Sequence, residues 1–150
     1  MKSVTLILGL ALLIIGCSQK VTEKTVAPAP EKSADELAIE GVVQNYFDGW
    51  LTGDTALIGS AMHKSCNLKF VRDGQIKRRT RTEYLSFFKP RPRLANSEGR
   101  IIDIDITNTA AEAKIELETP KRLFTDYFNL LKIGDRWYIT DKVSTSLVKD

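Results

Sequence analysis

Cysteine and histidine are scarce in this chain of 150 residues: there are two of the former and one of the latter. So few exclude a framework of several disulfides. They also exclude the common four-ligand zinc sites, which draw on several Cys and His side chains. A strong excess of one charge is lacking too. The 22 basic residues nearly cancel the 19 acidic ones, and the formal +3 that remains is too small by itself to mark a nucleic-acid protein. No Gly-rich phosphate loop, nucleophile elbow or cluster of metal ligands occurs, so no cofactor, metal or nucleic acid is expected. What is present, 43% hydrophobic and 27% charged residues, is a globular composition.

Long apolar runs are rare, and the longest opens the chain. Val4 to Ile15 carries no charge and follows the positive Lys2. At 1.5 Å per residue it would reach roughly 18 Å, well short of the ~30 Å hydrocarbon core. A cleaved export signal over residues 1–16 is expected, rather than a permanent span. Leu13-Ile14-Ile15-Gly16-Cys17 resembles the lipobox of bacterial lipoproteins. The resemblance implies that Cys17 becomes the first mature residue and is held in the membrane by a diacylglycerol thioether and an N-acyl chain, since two or more chains anchor stably. Ser18 after it resembles the sorting pattern for the outer membrane, with the protein facing the periplasm. The polar stretch that follows contains Ala27-Pro28-Ala29-Pro30, so residues 17–33 read as the lipidated Cys and a tether, of which Ser18 to Lys32 reaches at most about 50 Å. With Cys17 alkylated, Cys66 is left as a lone thiol, read as a small buried apolar residue.

Residues 34–150 are expected to form one domain. Ser33-Ala34-Asp35-Glu36 reads as a capping box, and Ile39, Val43, Tyr46, Phe47 and Trp50 recur at helical spacing. Gly53 ends this helix, and Asp54 caps a second through Met62. Leu68, Phe70 and Ile76 then flank Arg72-Asp73-Gly74-Gln75, where Asp-Gly signals a tight hairpin. Thr80-Arg81-Thr82-Glu83 is a second capping box, opening a helix with Tyr84, Leu85 and Phe88 inward, and Pro90 and Pro92 stop it. From Arg100 onward the period is two. Ile102, Ile104 and Ile106 alternate with Asp103 and Asp105; Ala111, Ala113, Ile115 and Leu117 alternate with charges. Such alternation predicts a sheet with one wet face. Arg122 to Ile133 is apolar on both faces and so expected to be central, and Gly134-Asp135 turns it into a last strand over Trp137 to Ser144. Three amphipathic helices covering the concave face of a curved, mainly antiparallel sheet make an α+β cone with a pocket between the layers.

The order of elements resembles the nuclear transport factor two-like superfold. The segment from Phe124-Thr125-Asp126-Tyr127-Phe128 through Trp137-Tyr138-Ile139-Thr140-Asp141-Lys142 resembles the C-terminal signature of its putative lumazine-binding group. Tyr46-Phe47-Asp48-Gly49-Trp50 and Met62-His63 fit the same group, although Lys64-Ser65 stand where it commonly has Pro-Asp. The superfold hosts isomerases, dehydratases, cyclases, hydrolases and plain binding or assembly domains.

Three sets of residues could carry function. Asp126 interrupts an apolar strand. Aligned with Phe124, Phe128 and Leu130 it would be a carboxylate on the pocket wall; in the opposite assignment Tyr127 faces the pocket and Asp126 lies outside, paired with Lys142 or Arg122. With His63, the sole histidine, it could do general acid–base work, whereas a histidine beside a helix C-terminus also simply suits the dipole. Tyr46, Trp50, Tyr84, Tyr127 and Phe128 could line the cavity, with core packing the competing role for Trp50. Lys77, Arg78, Arg79, Arg81, Lys89, Arg91 and Arg93 face a single acid, Glu83, and could meet an anionic partner such as lipid phosphate or an acidic protein face; a solvated face competes. The favoured expectation is a membrane-anchored domain that binds a small, mostly apolar ligand or assists assembly. The alternatives are an isomerase- or dehydratase-type enzyme using Asp126 with His63, and an interaction module acting through residues 77–93. A homodimer could form through the outer face of the Arg122 to Ile133 strand.

Overall fold

A computed structural model of the chain describes residues 31–149. The expected signal, Cys17 and most of the tether lie outside the described residues. The first helix, α1 (Ala34–Thr52), is capped by Ser33, whose Oγ accepts the Glu36 N–H at 3.1 Å. The expected return bond from Glu36 is not made. Asp35 does more, accepting from Lys132 Nζ at 2.6 Å and from Trp137 Nε1 at 2.9 Å, so the start of α1 is pinned to the far end of the sheet.

Gly53 ends α1 in the left-handed region at φ 70°, where a side chain is strained. A Cβ there would also fall 2.0 Å from the Lys89 carbonyl oxygen. The loop after the third helix therefore lies tightly across this end of α1. It satisfies the last carbonyls that a helix leaves open: Arg91 N–H donates to Thr52 O and Leu94 N–H to Leu51 O.

Asp54 caps α2 (Thr55–Ala61) through two backbone N–H groups. The chain then enters β1 (Met62–Arg72), turns through Asp73 and Gly74, both at positive φ, and returns as β2 (Gln75–Thr80). The Thr80–Glu83 capping box is complete and opens α3 (Arg81–Leu85). This helix is shorter than the pattern suggested, and Phe88 packs from the turn beyond it, 5.1 Å from the Tyr84 ring. Four strands follow: β3 (Glu98–Thr107), β4 (Ala110–Glu118), β5 (Arg122–Ile133) and β6 (Arg136–Val148).

The six strands form one curved sheet in the order β2-β1-β6-β5-β4-β3, antiparallel except for β1 beside β6, with the helices on one side. The expected α+β architecture is what the chain adopts, with β5 in the interior of the sheet. The core joins Ile39, Val43, Tyr46, Phe47 and Leu51 of α1 to the inward rows of β4, β5 and β6. Close contact is required where α1 crosses β3: a Cβ on Gly99 would sit 2.3 Å from the Phe47 ring.

Besides a register shift on β1 between Met62 and Asn67, extra residues on β3 and β6 break the period of two. Ile102 is unpaired between Ile101↔Ile115 and Asp103↔Lys114, which leaves it 46% exposed while Ile101 packs on the core. This corrects the expectation that Ile102 shares a face with Ile104 and Ile106. On β6, Thr140 is the extra residue between Asn129↔Asp141 and Leu130↔Ile139. Each such bulge bends its strand and swaps which side chains point inward.

Candidate functional site

The ladder between β1 and β6 ends at Phe70↔Ser144, whereas β6 continues beside β5 to Val148. At this end of the sheet a cleft of about 870 Å³ opens, lined by inner-face residues and, where it reaches round the sheet, by Lys69, Val71, Tyr127, Val143 and Thr145 of the outer face; its volume is within the range typical of small-molecule sites. Trp50 and Tyr84 enter from the helices, and Leu68, Phe70, Leu117 and Phe124 from the sheet. Trp50 is held edge-on between Phe88 at 6.3 Å and Phe124 at 5.5 Å, and the Arg91 guanidinium donates to the Trp50 carbonyl at 2.6 Å.

The polar floor is built by β5 and β6. Trp137 and Ile139 point inward, and without a bulge the next inward residue would be Asp141. The extra Thr140 brings in Lys142 instead, which is 3% exposed and paired with the equally buried Asp126. Ser144, opposite Asp126 in the register, donates to Asp126 Oδ1 at 2.5 Å. The Lys142 ammonium lies 5.6 Å from the Tyr46 ring, 6.0 Å from Tyr84 and 5.5 Å from Phe128, within cation–π range. Burial pushes the Lys142 pKa down, and the Asp126 carboxylate opposes that shift. The hydroxyls of Tyr46 and Tyr84 share a hydrogen bond of 2.6 Å. Burial is the main reason that both phenols are held above their ordinary range. Next to this floor, the Cys66 thiol is pushed up to about 12, mainly by burial and then by Asp141.

Of the two assignments left open for Asp126, the structure has the inward one, with the Lys142 pairing that had been attached to the outward one. His63 is elsewhere. It stands on β1 directly after Met62, the C-cap of α2; its Nδ1 is 2.7 Å from Ser65 Oγ and its ring is edge-on to Tyr138. Met62 pairs with Ile139, Asn67 with Asp141 and Asp126 with Ser144, so His63 is offset from Asp126 by at least three residues along β6, roughly 10 Å at the usual rise per residue. Hydrogen-bond reach is about 3 Å. The expected His63–Asp126 pair is therefore not formed. Asp126 already has two partners, and the donors and acceptors around it bond one another.

The expected cavity residues divide. Trp50 and Tyr84 line the cleft, while Tyr46 and Phe128 are sealed in the core beneath it. Tyr127 faces the outer side, 40% exposed, and reaches only the rim. The seven basic residues of segment 77–93 do not make one free surface. Arg81 donates to the carbonyls of Met62 and Gly59, Arg91 is turned to α1, Arg93 pairs with Asp48, and Lys77 donates to Gln75. Arg78 and Lys89 point to solvent, and Arg79 joins the cleft. Arg72 and Ser144 belong to the site without having been singled out, and Arg122, weighed only as a partner for Asp126, lines the cleft. Ser144 becomes readable once Asp126 is known to be buried, because a buried carboxylate needs donors. Among the described residues no group of three or more His, Cys, Asp or Glu is placed to share a metal ion, and no helix is long and apolar enough to cross a membrane.

A curved sheet with helices over its hollow side and a cleft at one end is the nuclear transport factor two-like architecture. The chain belongs to the family described as "Putative lumazine-binding", whose model matches residues 34–144. An NTF2-like protein of unknown function from Shewanella baltica OS155 superposes with a TM-score of 0.70 at 24% identity, covering 78% of this chain and 98% of that one. A second, from Methylobacillus flagellatus KT, gives 0.67 at 24% identity over 80% and 97%. A ketosteroid isomerase-like protein from Erwinia carotovora atroseptica gives 0.61 at 10% identity over 77% and 98%. At these identities the likeness is one of fold. Among curated proteins none matches the chain.

Proposed function

We propose that this domain is a binding module that holds a small ligand with a largely apolar body in the cleft walled by Trp50, Tyr84 and Phe124, and that it works from a membrane through acyl chains on Cys17. The observation that carries the ligand reading is the cleft itself: about 870 Å³ with aromatic and aliphatic walls over a floor whose charges, Lys142 and Asp126, neutralise each other. The family's name also points to a small ligand. Binding is favoured over catalysis because Asp126 is bonded to Lys142 and Ser144 and has no histidine beside it. Native mass spectrometry of the chain taken gently from the cells that make it should find a retained small molecule. Trp50→Ala should lose it, and a wild-type protein that always emerges bare refutes the reading.

The anchor rests on the Leu13–Cys17 motif and the charge-free run before it. Metabolic labelling with an alkyne fatty acid should mark the wild type and not Cys17→Ser; an unmarked wild type removes the anchor. A second copy is the proposed partner on the outer face of β5 and β6, where Tyr127 and Val143 sit opposite each other and Leu131, Ile133 and Leu147 are also exposed. These exposed apolar side chains, interrupted by the Thr125–Thr145 and Asn129–Asp141 rows, are the kind that contact surfaces use. Sedimentation velocity should report a dimer that Val143→Asp dissociates, and a wild-type monomer at all concentrations excludes it.

A further inference from the structure

Five cationic side chains line the cleft, Lys69, Arg72, Arg79, Arg122 and Lys142, against one carboxylate, Asp126. Two of the five are neutralised within the chain: Lys142 by Asp126, and Lys69 by Asp141 at 2.6 Å. Arg72, Arg79 and Arg122 make no ion pair among the described residues. They are not loose. The Arg72 guanidinium lies 5.5 Å from the centre of the Phe70 ring and that of Arg79 4.9 Å from it, with Phe87 a further 4.4 Å from Arg79. Arg122 donates to Ser146 Oγ at 3.2 Å. Stacking on rings fixes the plane of a guanidinium while leaving its edge N–H groups free, which is the arrangement that takes a carboxylate or phosphate two-pronged. Holding the fork in place beforehand also lowers the ordering cost of binding.

Apolar walls below and uncompensated guanidinium edges around the same cleft define an amphiphile of one sign. We infer that the cleft selects a free anionic amphiphile, a small molecule whose apolar body enters against Trp50 and Phe124 while its carboxylate or phosphate is taken by Arg79 with Arg72. This rests on the cleft being a ligand site, as proposed above, and adds the charge of the ligand. It also separates Arg79 from the rest of the basic segment, whose other members are bonded elsewhere or face solvent.

The probes are 2-naphthoate and 2-naphthamide, which share one ring body and differ in charge. Each is titrated calorimetrically into the full chain held in phosphatidylcholine nanodiscs, with empty nanodiscs as the blank. The naphthoate should bind at least tenfold more tightly than the amide, and the difference should shrink as salt is raised. Arg79→Gln should reduce the preference to less than threefold, chiefly by weakening the naphthoate, and Arg78→Gln, on the exposed side of the same strand, should leave both affinities as they are. If both probes bind equally to the wild type, or Arg79→Gln keeps the full preference, the anionic assignment is wrong and the cleft remains a site for neutral ligands. If neither probe binds, the cleft reading falls and takes this one with it.

Discussion

Replacing Lys142 with methionine leaves the Asp126 carboxylate buried with Ser144 as its remaining close partner. The two charged groups are each 3% exposed, so neither can turn to water when the other is removed. A buried ion pair contributes little net stability compared with apolar residues of the same shape, but removing one member strands a charge and costs about 3–5 kcal/mol. A domain of this size loses roughly 3–5 °C of Tm per kcal/mol, so Lys142→Met should melt about 10–20 °C below the wild type. Asp126→Asn should cost a similar amount by stranding the ammonium, softened somewhat by the rings of Tyr46, Tyr84 and Phe128 around it. The double variant carries no stranded charge and keeps an acceptor for Ser144. It should be less destabilised than either single one. Urea denaturation of all four proteins, read as a double-mutant cycle, measures the coupling. Additive losses, or a Lys142→Met variant within about 1 kcal/mol of wild type, would refute the reasoning.

Acid should weaken the attachment of α1 to the sheet. Hydrogen bonds from Lys132 and then Trp137 hold the Asp35 carboxyl below its ordinary 3.8. A carboxyl depressed in the folded state adds stability that is present above the unfolded value and lost as pH falls through the folded one. Asp35→Asn should therefore lessen the loss of stability between pH 5 and about pH 2, followed by Trp137 emission; an unchanged acid limb contradicts the pairing. The Cys66 thiol, 1% exposed and pushed up to about 12, should resist iodoacetamide at pH 8 in the native protein and react within minutes once unfolded. Prompt native labelling would show that this part of the core opens easily.

Much of the fold was legible because its signals are local. Ser33 and Thr80 stand where N-caps are needed, Asp73-Gly74 where two positive φ values are needed, and the apolar period changes from helical to alternating where the helices give way to strands. The site was less legible because it depends on parity, and parity in a strand survives only until an extra residue enters. Counting inward from Trp137 selects Asp141, whereas the bulge at Thr140 presents Lys142. The same failure sent Ile102 outward. His63 follows Met62 directly in sequence, but where that position falls in the sheet relative to Asp126 depends on the β1–β6 register, which pairs strands far apart along the chain.

The order of elements, the caps, the tight hairpin and the placement of β5 inside the sheet were thus determined by the sequence alone, since each is decided by neighbours a few residues away. Tertiary structure decided which charges meet. Asp126 is buried against Lys142 because a bulge turns that lysine inward; Arg81, Arg91 and Arg93 are engaged by carbonyls and a carboxylate that the fold brings to them, whereas Arg79 makes no ion pair among the described residues. A charge's role depends on what lies within a few ångströms of it, and those distances exist only after the chain has closed on itself.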